Sequence, residues 1–249
     1  MSFFFSFFAF RAHQDLLPTF VAPITRTDRP DTGFSAVLLD LAFSAIDAHT
    51  SLLLPQVGVP YVQGAIDLAV AVGCPIVMTD EGPLPAWLPL PQAFDILCYS
   101  VEPLTRYAAE RGALLVIELH NALTTQPAWL AKLLQRFGPA ELGVSFDTGN
   151  AFLAGNDPVA FLADCLERVV HVHAKDIPAS LLPLRGQVTG TRVGVALGQG
   201  QVDMVGVLNT LRGADYQGVV SVECDTLAQA VASRAFFQTW AERGRDAAE

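Results

Sequence analysis

From about residue 60 onward, short apolar runs alternate with amphipathic stretches, and this alternation constrains the fold more than any other feature. The runs CPIVMTD (residues 74–80), ALLVIELH, ELGVSFDTG, VVHVHAKD and GVVSVEC are rich in β-branched residues without strict polar alternation. That is the pattern of strands buried on both faces. Helical stretches surround them: YVQGAIDLAVAVG, AFDILCYSVEPLTRYAAERG (despite Pro103), PAWLAKLLQRFG, DPVAFLADCLER, MVGVLNTLRGADY and TLAQAVASRAFFQTWAERG. Gly73, Gly112 and Gly138 read as helix stops. Pro127 lies early in its helix, and Asp157–Pro158 suits an N-cap followed by proline at the first helical position. Strands separated by single helices imply a parallel sheet.

Five strand–helix units fit between residues 74 and 249, so the expectation is one (β/α)8 TIM-barrel domain over residues 1–249. The first 60 residues must then supply three more units. FFFSFFAF and FSAIDAHTS are candidate strands, FVAPITRT a weaker third, and FSAVLLDLA a candidate helix that overlaps the second. That is cramped, and the barrel is expected to be irregular or shortened in its N-terminal third. With 51% hydrophobic and 16% charged residues, the chain has ample material for one core and no disordered character.

The charge balance restricts partners. Twenty-five acids against 15 bases give −10, with no basic run to meet phosphates, so a nucleic-acid partner is not expected. The opening MSFFFSFFAF lacks the positive flank and cleavage site of a signal peptide and is too short to span a bilayer. No other stretch is long and uncharged enough, which excludes a membrane partner. Cys74, Cys98, Cys165 and Cys224 show no CxxC spacing and read as free thiols in a reducing cytoplasm. A small-molecule ligand fits, and a homo-oligomer is compatible.

Four strand ends carry side chains that a buried strand has little reason to hold: Glu118, Asp147, His173 and Glu223. Each has an ordinary reading alone. Glu118 could cap the next helix, Asp147 could form an Asx turn, and His173 could bond to backbone. Glu223 is the hardest to explain this way. At the C-terminal ends of successive strands they converge on one mouth. Three carboxylates and an imidazole suit a divalent metal ion, with Mn²⁺, Mg²⁺ or Co²⁺ favoured and Zn²⁺ allowed. Such an ion could hold the carbonyl and adjacent hydroxyl of a sugar or hydroxyketone and stabilise an enediolate. Glu118 and Glu223 would then act as general base and acid. Lys175 could reach a substrate group or pair with a carboxylate. His49 and His120 are further substrate-binding candidates near the mouth, while Asp176 and Asp203 read as loop organisers. Gly198 and Gly200 read as turn glycines, because no third glycine completes a dinucleotide fingerprint.

The words AIDLAVAVGCPIV, VIELHN, FDTGNAF, HVHAKD, GQGQVDMVGVLNTL and YQGVVSVE follow one another over about residues 60–225. As an ordered set they resemble the sugar phosphate isomerase/epimerase superfamily. Its xylose-isomerase-like barrels include ketose 3-epimerases, hydroxypyruvate isomerases and inosose dehydratases. The resemblance implies that Glu118, Asp147, His173 and Glu223 are metal ligands, with the two glutamates doubling as a proton-transfer pair. His171 takes a supporting role behind His173. Asn150 stands where many such proteins carry histidine and remains a substrate-binding candidate. The arginine of the ketose 3-epimerase branch has no match, since Ile177, Pro178 and Ala179 fill that stretch. The implied function is a metal-dependent isomerase or epimerase of a small sugar or hydroxyketone. A keto-inositol or keto-sugar dehydratase is the alternative. An endonuclease-IV-like repair enzyme fits less well, and a relative without activity is a further reading.

Overall fold

The computed structural model describes residues 6–11 and 43–246. Its elements in chain order are β1 (Ser6–Arg11), β2 (Ile46–Asp47), α1 (Pro55–Ala71), β3 (Ile76–Thr79), α2 (Leu90–Ala109), β4 (Leu114–Glu118) and α3 (Pro127–Arg136). They continue with β5 (Leu142–Asp147), α4 (Thr148–Leu153), α5 (Pro158–Cys165), β6 (Val169–Lys175), α6 (Met204–Gly213), β7 (Val219–Glu223) and α7 (Leu227–Asp246). The sheet order is β1-β7-β6-β5-β4-β3-β2, and every neighbouring pair from β2 to β7 is parallel. Six parallel strands with helices between them form a curled sheet, a partial barrel.

The N-terminal third departs from eight equal units. FSAIDAHTS yields the two-residue strand β2, followed by α1, which begins six residues before the stretch expected to be helical. FFFSFFAF contains β1, but it pairs antiparallel with β7, from Ser6↔Glu223 to Arg11↔Val219, across a bulge. An antiparallel edge pair needs no crossover helix. FVAPITRT and FSAVLLDLA lie outside the described residues.

Register fixes which side chains face inward. Glu118 pairs with Ser145, His171 also pairs with Ser145, Asp147 with His173, His173 with Ser221, and Lys175 with Glu223. Because side chains alternate with period two, these residues share one face of the sheet. Below them the inner face is apolar, where Ala45, Met78 and Val116 pack against Ile76, Leu114 and Val170. A Cβ at Gly143 would sit 3.0 Å from Val170 Cγ2, so the missing side chain makes room in this narrow interior. The outer face carries the much larger core, in which Leu115, Ile117, Val144, Phe146 and Val172 meet helix residues such as Ile66, Leu97, Leu104 and Leu133.

The helix boundaries follow local chemistry. Asp157 accepts from Val159 N at 2.9 Å and from Ala160 N at 3.4 Å, capping α5 ahead of Pro158. Gly73 and Gly112 adopt φ of +72° just past α1 and α2, the left-handed step that glycine makes without strain. The expected loop organisers also behave as read. Asp203 caps α6 through Gly206 N at 2.8 Å. The buried Asp176 carboxylate accepts from the backbone of Ile177, Gly198, Gly200 and Val202 at 2.9–3.0 Å, pinning the long loop after β6 against the strand end. Among the described residues, no helix is long and apolar enough to cross a membrane.

Candidate metal centre

The strand ends bring Glu118, Asp147, His173 and Glu223 together, all buried, with one potential ligand atom from each lying within 4.8 Å of the others. His173 Nδ1 is 3.1 Å from Glu118 Oε1 and 2.8 Å from Glu223 Oε1. Donors bound side by side to a hard divalent ion at 2.0–2.2 Å are about 3 Å apart, the spacing of His173 Nδ1 from the two glutamates. His173 Nε2 is buried without a hydrogen-bond partner. The donor set and its spacing fit a divalent metal.

Asp147 divides its carboxylate between two tasks. Oδ1 accepts from Asn150 N at 2.8 Å, capping the short helix α4, while Oδ2 faces Lys175 Nζ at 3.1 Å. One oxygen thus makes the Asx-type contact, and the other faces the cluster of charged strand-end side chains. Lys175 also reaches Glu223 Oε2 at 2.5 Å. Its stem crosses the start of α4, where a Cβ at Gly149 would lie 2.6 Å from Lys175 Cδ, so glycine is what lets the lysine through. Lys175 thus forms the ion pairs that were one of its two readings. Thr148 locks the same corner, its Oγ1 donating to Lys175 O at 2.8 Å.

A second cluster adjoins the first. His49 Nε2 is 3.0 Å from both Asp47 Oδ2 and Glu118 Oε2, and its Nδ1 is 3.4 Å from Asp80 Oδ2. His120 lies with Nδ1 3.9 Å from Glu118 Oε1 and its ring edge-on to His49, with centroids 4.9 Å apart. Asn150 is fully buried, and its Nδ2 donates to Leu119 O at 2.9 Å. Its Oδ1 lies beneath Gly190 of the long loop, so the carboxamide lines a covered wall.

Burial opposes every charge here, and the neighbours decide the outcome. Burial alone would raise Glu118, yet the His173 and His49 imidazoles hold its carboxyl well below the usual range. Burial would likewise lower His173, but Glu223 and Glu118 together raise it well above 6.5. Glu223 is depressed by Lys175 and His173 against its own burial. Asp147 ends up raised, by burial first and by the charges of Glu223 and Glu118, against the pull of Lys175. Burial and the neighbouring His173 push His171 down to about 3, so it stays neutral, bonded through Nε2 to Ser221 Oγ at 3.0 Å. It sits edge-on behind His173, with ring centroids 5.0 Å apart.

Glu81 follows Asp80 but turns away from the mouth. Its carboxylate accepts from Leu123 N at 2.7 Å and from Thr124 N and Oγ1 at 3.1 and 2.8 Å. Burial, then the adjacent Asp80, raise it from 4.5 to about 7. A carboxyl raised on folding stabilises the protein below its unfolded pKa, and that stability is lost as pH rises through the folded value. Metal-free protein should therefore lose about 3 kcal/mol between pH 5 and pH 8 that Glu81→Gln does not lose. Urea denaturation of both proteins at the two pH values measures this. Equal losses in both would refute it.

The sequence reading passed over Asp47, Asp80 and Glu81. Part of the signal was present: Asp80 ends CPIVMTD, the same strand-end acid that marked Asp147, whereas Asp47 lies inside FSAIDAHTS and ends only the short strand β2. Asn121 belongs with them, its Nδ2 donating to Asp80 Oδ2 at 2.8 Å.

Comparison with known proteins follows the fold. A sequence profile of the family described as xylose isomerase-like TIM barrel matches residues 50–240. The inosose dehydratase of Halalkalibacterium halodurans is 27% identical over 139 residues, 52% of this chain and 45% of that protein. The chain spans about half the length of the curated relatives it matches. A solved D-tagatose 3-epimerase-like protein superimposes with a TM-score of 0.76 at 20% identity, covering 89% of this chain and 86% of its own. A barrel protein from Mycobacterium smegmatis, solved in complex with magnesium, gives 0.63 at 20% identity, covering 83% and 76%.

Proposed function

The chain belongs to the xylose isomerase-like TIM barrel family, and on that premise we propose that it is a divalent-metal-dependent isomerase or epimerase of a small sugar or hydroxyketone. The observation that carries this reading is the pair Glu118 and Glu223, on separate strands, each within 3.1 Å of one His173 nitrogen. Glu118, Asp147, His173 and Glu223 would hold the ion, which when bound supplies a Lewis acid for the substrate carbonyl. One glutamate, kept ionised by its imidazole or lysine neighbours, takes a proton from the carbon beside the carbonyl. The same glutamate can hand that proton back to the adjacent carbon, or the other glutamate can relay one from solvent to the opposite face of the same carbon while the first releases its own to solvent. His49 and His120 stand at the rim, where a substrate hydroxyl could be held. Lys175 keeps Glu223 in place.

The curated relatives favour a second reading on the same residues. They are inosose dehydratases, which suggests a substrate whose enediol expels a neighbouring hydroxyl instead of being reprotonated. Both readings share the first proton transfer. Reaction in D2O with a panel of ketoses and keto-inositols separates them. Deuterium in a recovered epimer or isomer, read by NMR, supports isomerisation. An ultraviolet-absorbing enone or diketone with no deuterated isomer supports dehydration. Metal-loaded protein that gives neither product and exchanges no carbon-bound proton across the panel defeats both.

A further inference from the structure

We infer that the mouth holds a second divalent cation, on His49, Glu118 and His120, beside the ion that Glu118, Asp147, His173 and Glu223 would bind. One potential ligand atom from each of these three residues lies within 4.8 Å of the others. Glu118 joins the two clusters. Its Oε1 faces His173 Nδ1 at 3.1 Å while its Oε2 faces His49 Nε2 at 3.0 Å, the disposition of a bridging carboxylate. Glu118 Oε2 is buried and accepts no hydrogen bond.

The orientation of His49 points the same way. Its Nδ1 is backed by Asp80 Oδ2 at 3.4 Å, and that oxygen is itself held by Asn121 Nδ2 at 2.8 Å. A carboxylate behind one ring nitrogen is how metal-binding histidines are fixed, with the other nitrogen presented to the ion. That other nitrogen, Nε2, has carboxylate oxygens of both Asp47 and Glu118 at 3.0 Å. A protonated Nε2 has one hydrogen and serves one of them well, whereas a cation there serves both. Asp80 Oδ1, on a side chain 6% exposed, has no hydrogen-bond partner.

Charge gives the same count. The carboxylates of Asp47, Asp80 and Glu118 surround His49, those of Asp147 and Glu223 meet Lys175, and among the described residues Lys175 is the ammonium of the two adjoining clusters. With the imidazoles neutral, as ligands must be, two divalent cations and one lysine balance five carboxylates. Two imidazoles with a carboxylate suit Zn²⁺, Mn²⁺ or Co²⁺ better than Mg²⁺.

The proposed reaction needs only the first ion, so counting bound ions separates the two ideas. Protein stripped with chelator is titrated with Mn²⁺ and, separately, Zn²⁺, and bound metal is measured after desalting. Two ions per chain are expected for wild type, with an exchange-coupled electron paramagnetic resonance signal in the Mn²⁺ sample. His49→Ala and the milder His120→Gln should each fall to one ion per chain and give the isolated-ion spectrum, the retained ion showing that the fold persists. Wild type saturating at one ion with both metals overturns the inference while sparing the proposed function. So do variants that still hold two ions. No bound ion in wild type overturns both. Should either variant fail to fold, wild-type stoichiometry and its spectrum decide.

Discussion

Glu223→Gln is expected to lower kcat by about 10²- to 10⁴-fold, the range of a lost general acid or base, while the fold persists. The substitution keeps the shape of the side chain and removes its charge. It strips a carboxylate 2.8 Å from His173 Nδ1 and 2.5 Å from Lys175 Nζ, so metal affinity should fall as well. Turnover at saturating metal separates the two effects, because weakened metal binding is restored by excess ion and a missing proton carrier is not. Circular dichroism checks the fold. Wild-type turnover in this variant would remove Glu223 from the chemistry and with it the proposed pair. Asp147 offers a contrast, since its partners are Lys175 and the α4 backbone and no proton transfer is assigned to it.

Lys175→Met should cost metal-free protein about 3–5 kcal/mol, because it leaves two buried carboxylates without their cation. For a chain of this size that is roughly 10 °C in Tm. Lys175 is 2% exposed and touches Asp147 and Glu223, so solvent offers little relief. Divalent metal should return much of the loss, since an ion on the same carboxylates supplies the missing positive charge. The variant should therefore gain more from added Mn²⁺ than wild type does. Thermal melts with and without Mn²⁺ measure both quantities. Equal stability of the two metal-free proteins would mean that the ammonium is dispensable, and an equal gain from Mn²⁺ would mean that lysine and metal do not share those carboxylates.

Where local chemistry determined structure, the sequence could be read directly. The β-branched runs became β3 to β7, and Gly73 and Gly112 fell just beyond the helices they were expected to stop. The register of parallel strands then carried Glu118, Asp147, His173 and Glu223 to one place, because each sits at the C-terminal end of its run. What escaped was whatever depended on contacts distant in sequence. The antiparallel seating of β1 on β7 leaves no periodicity signal, since a strand reads alike in either direction. The ion pair of Lys175 with Glu223 depends on the pairing of β6 with β7, which sets the two residues opposite each other. The place of Asn150 beneath Gly190 likewise depends on a loop distant in sequence. Asp47 and Asp80 were missed as well. Asp47 sits inside its run instead of at its end, and Asp80 meets the cluster through His49 and Asn121, contacts that only the folded sheet makes.

The divided carboxylate of Asp147 has one more consequence. Its Oδ1 holds the first turn of α4, and its Oδ2 belongs to the charged cluster, so the two cannot move independently. Whatever draws Oδ2 toward an ion also pulls on the N–H of Asn150, whose amide side chain anchors the neighbouring strand end through Leu119 O. The six-residue α4 is thereby a gauge of the site: a short spring whose tension is set by what the carboxylates hold.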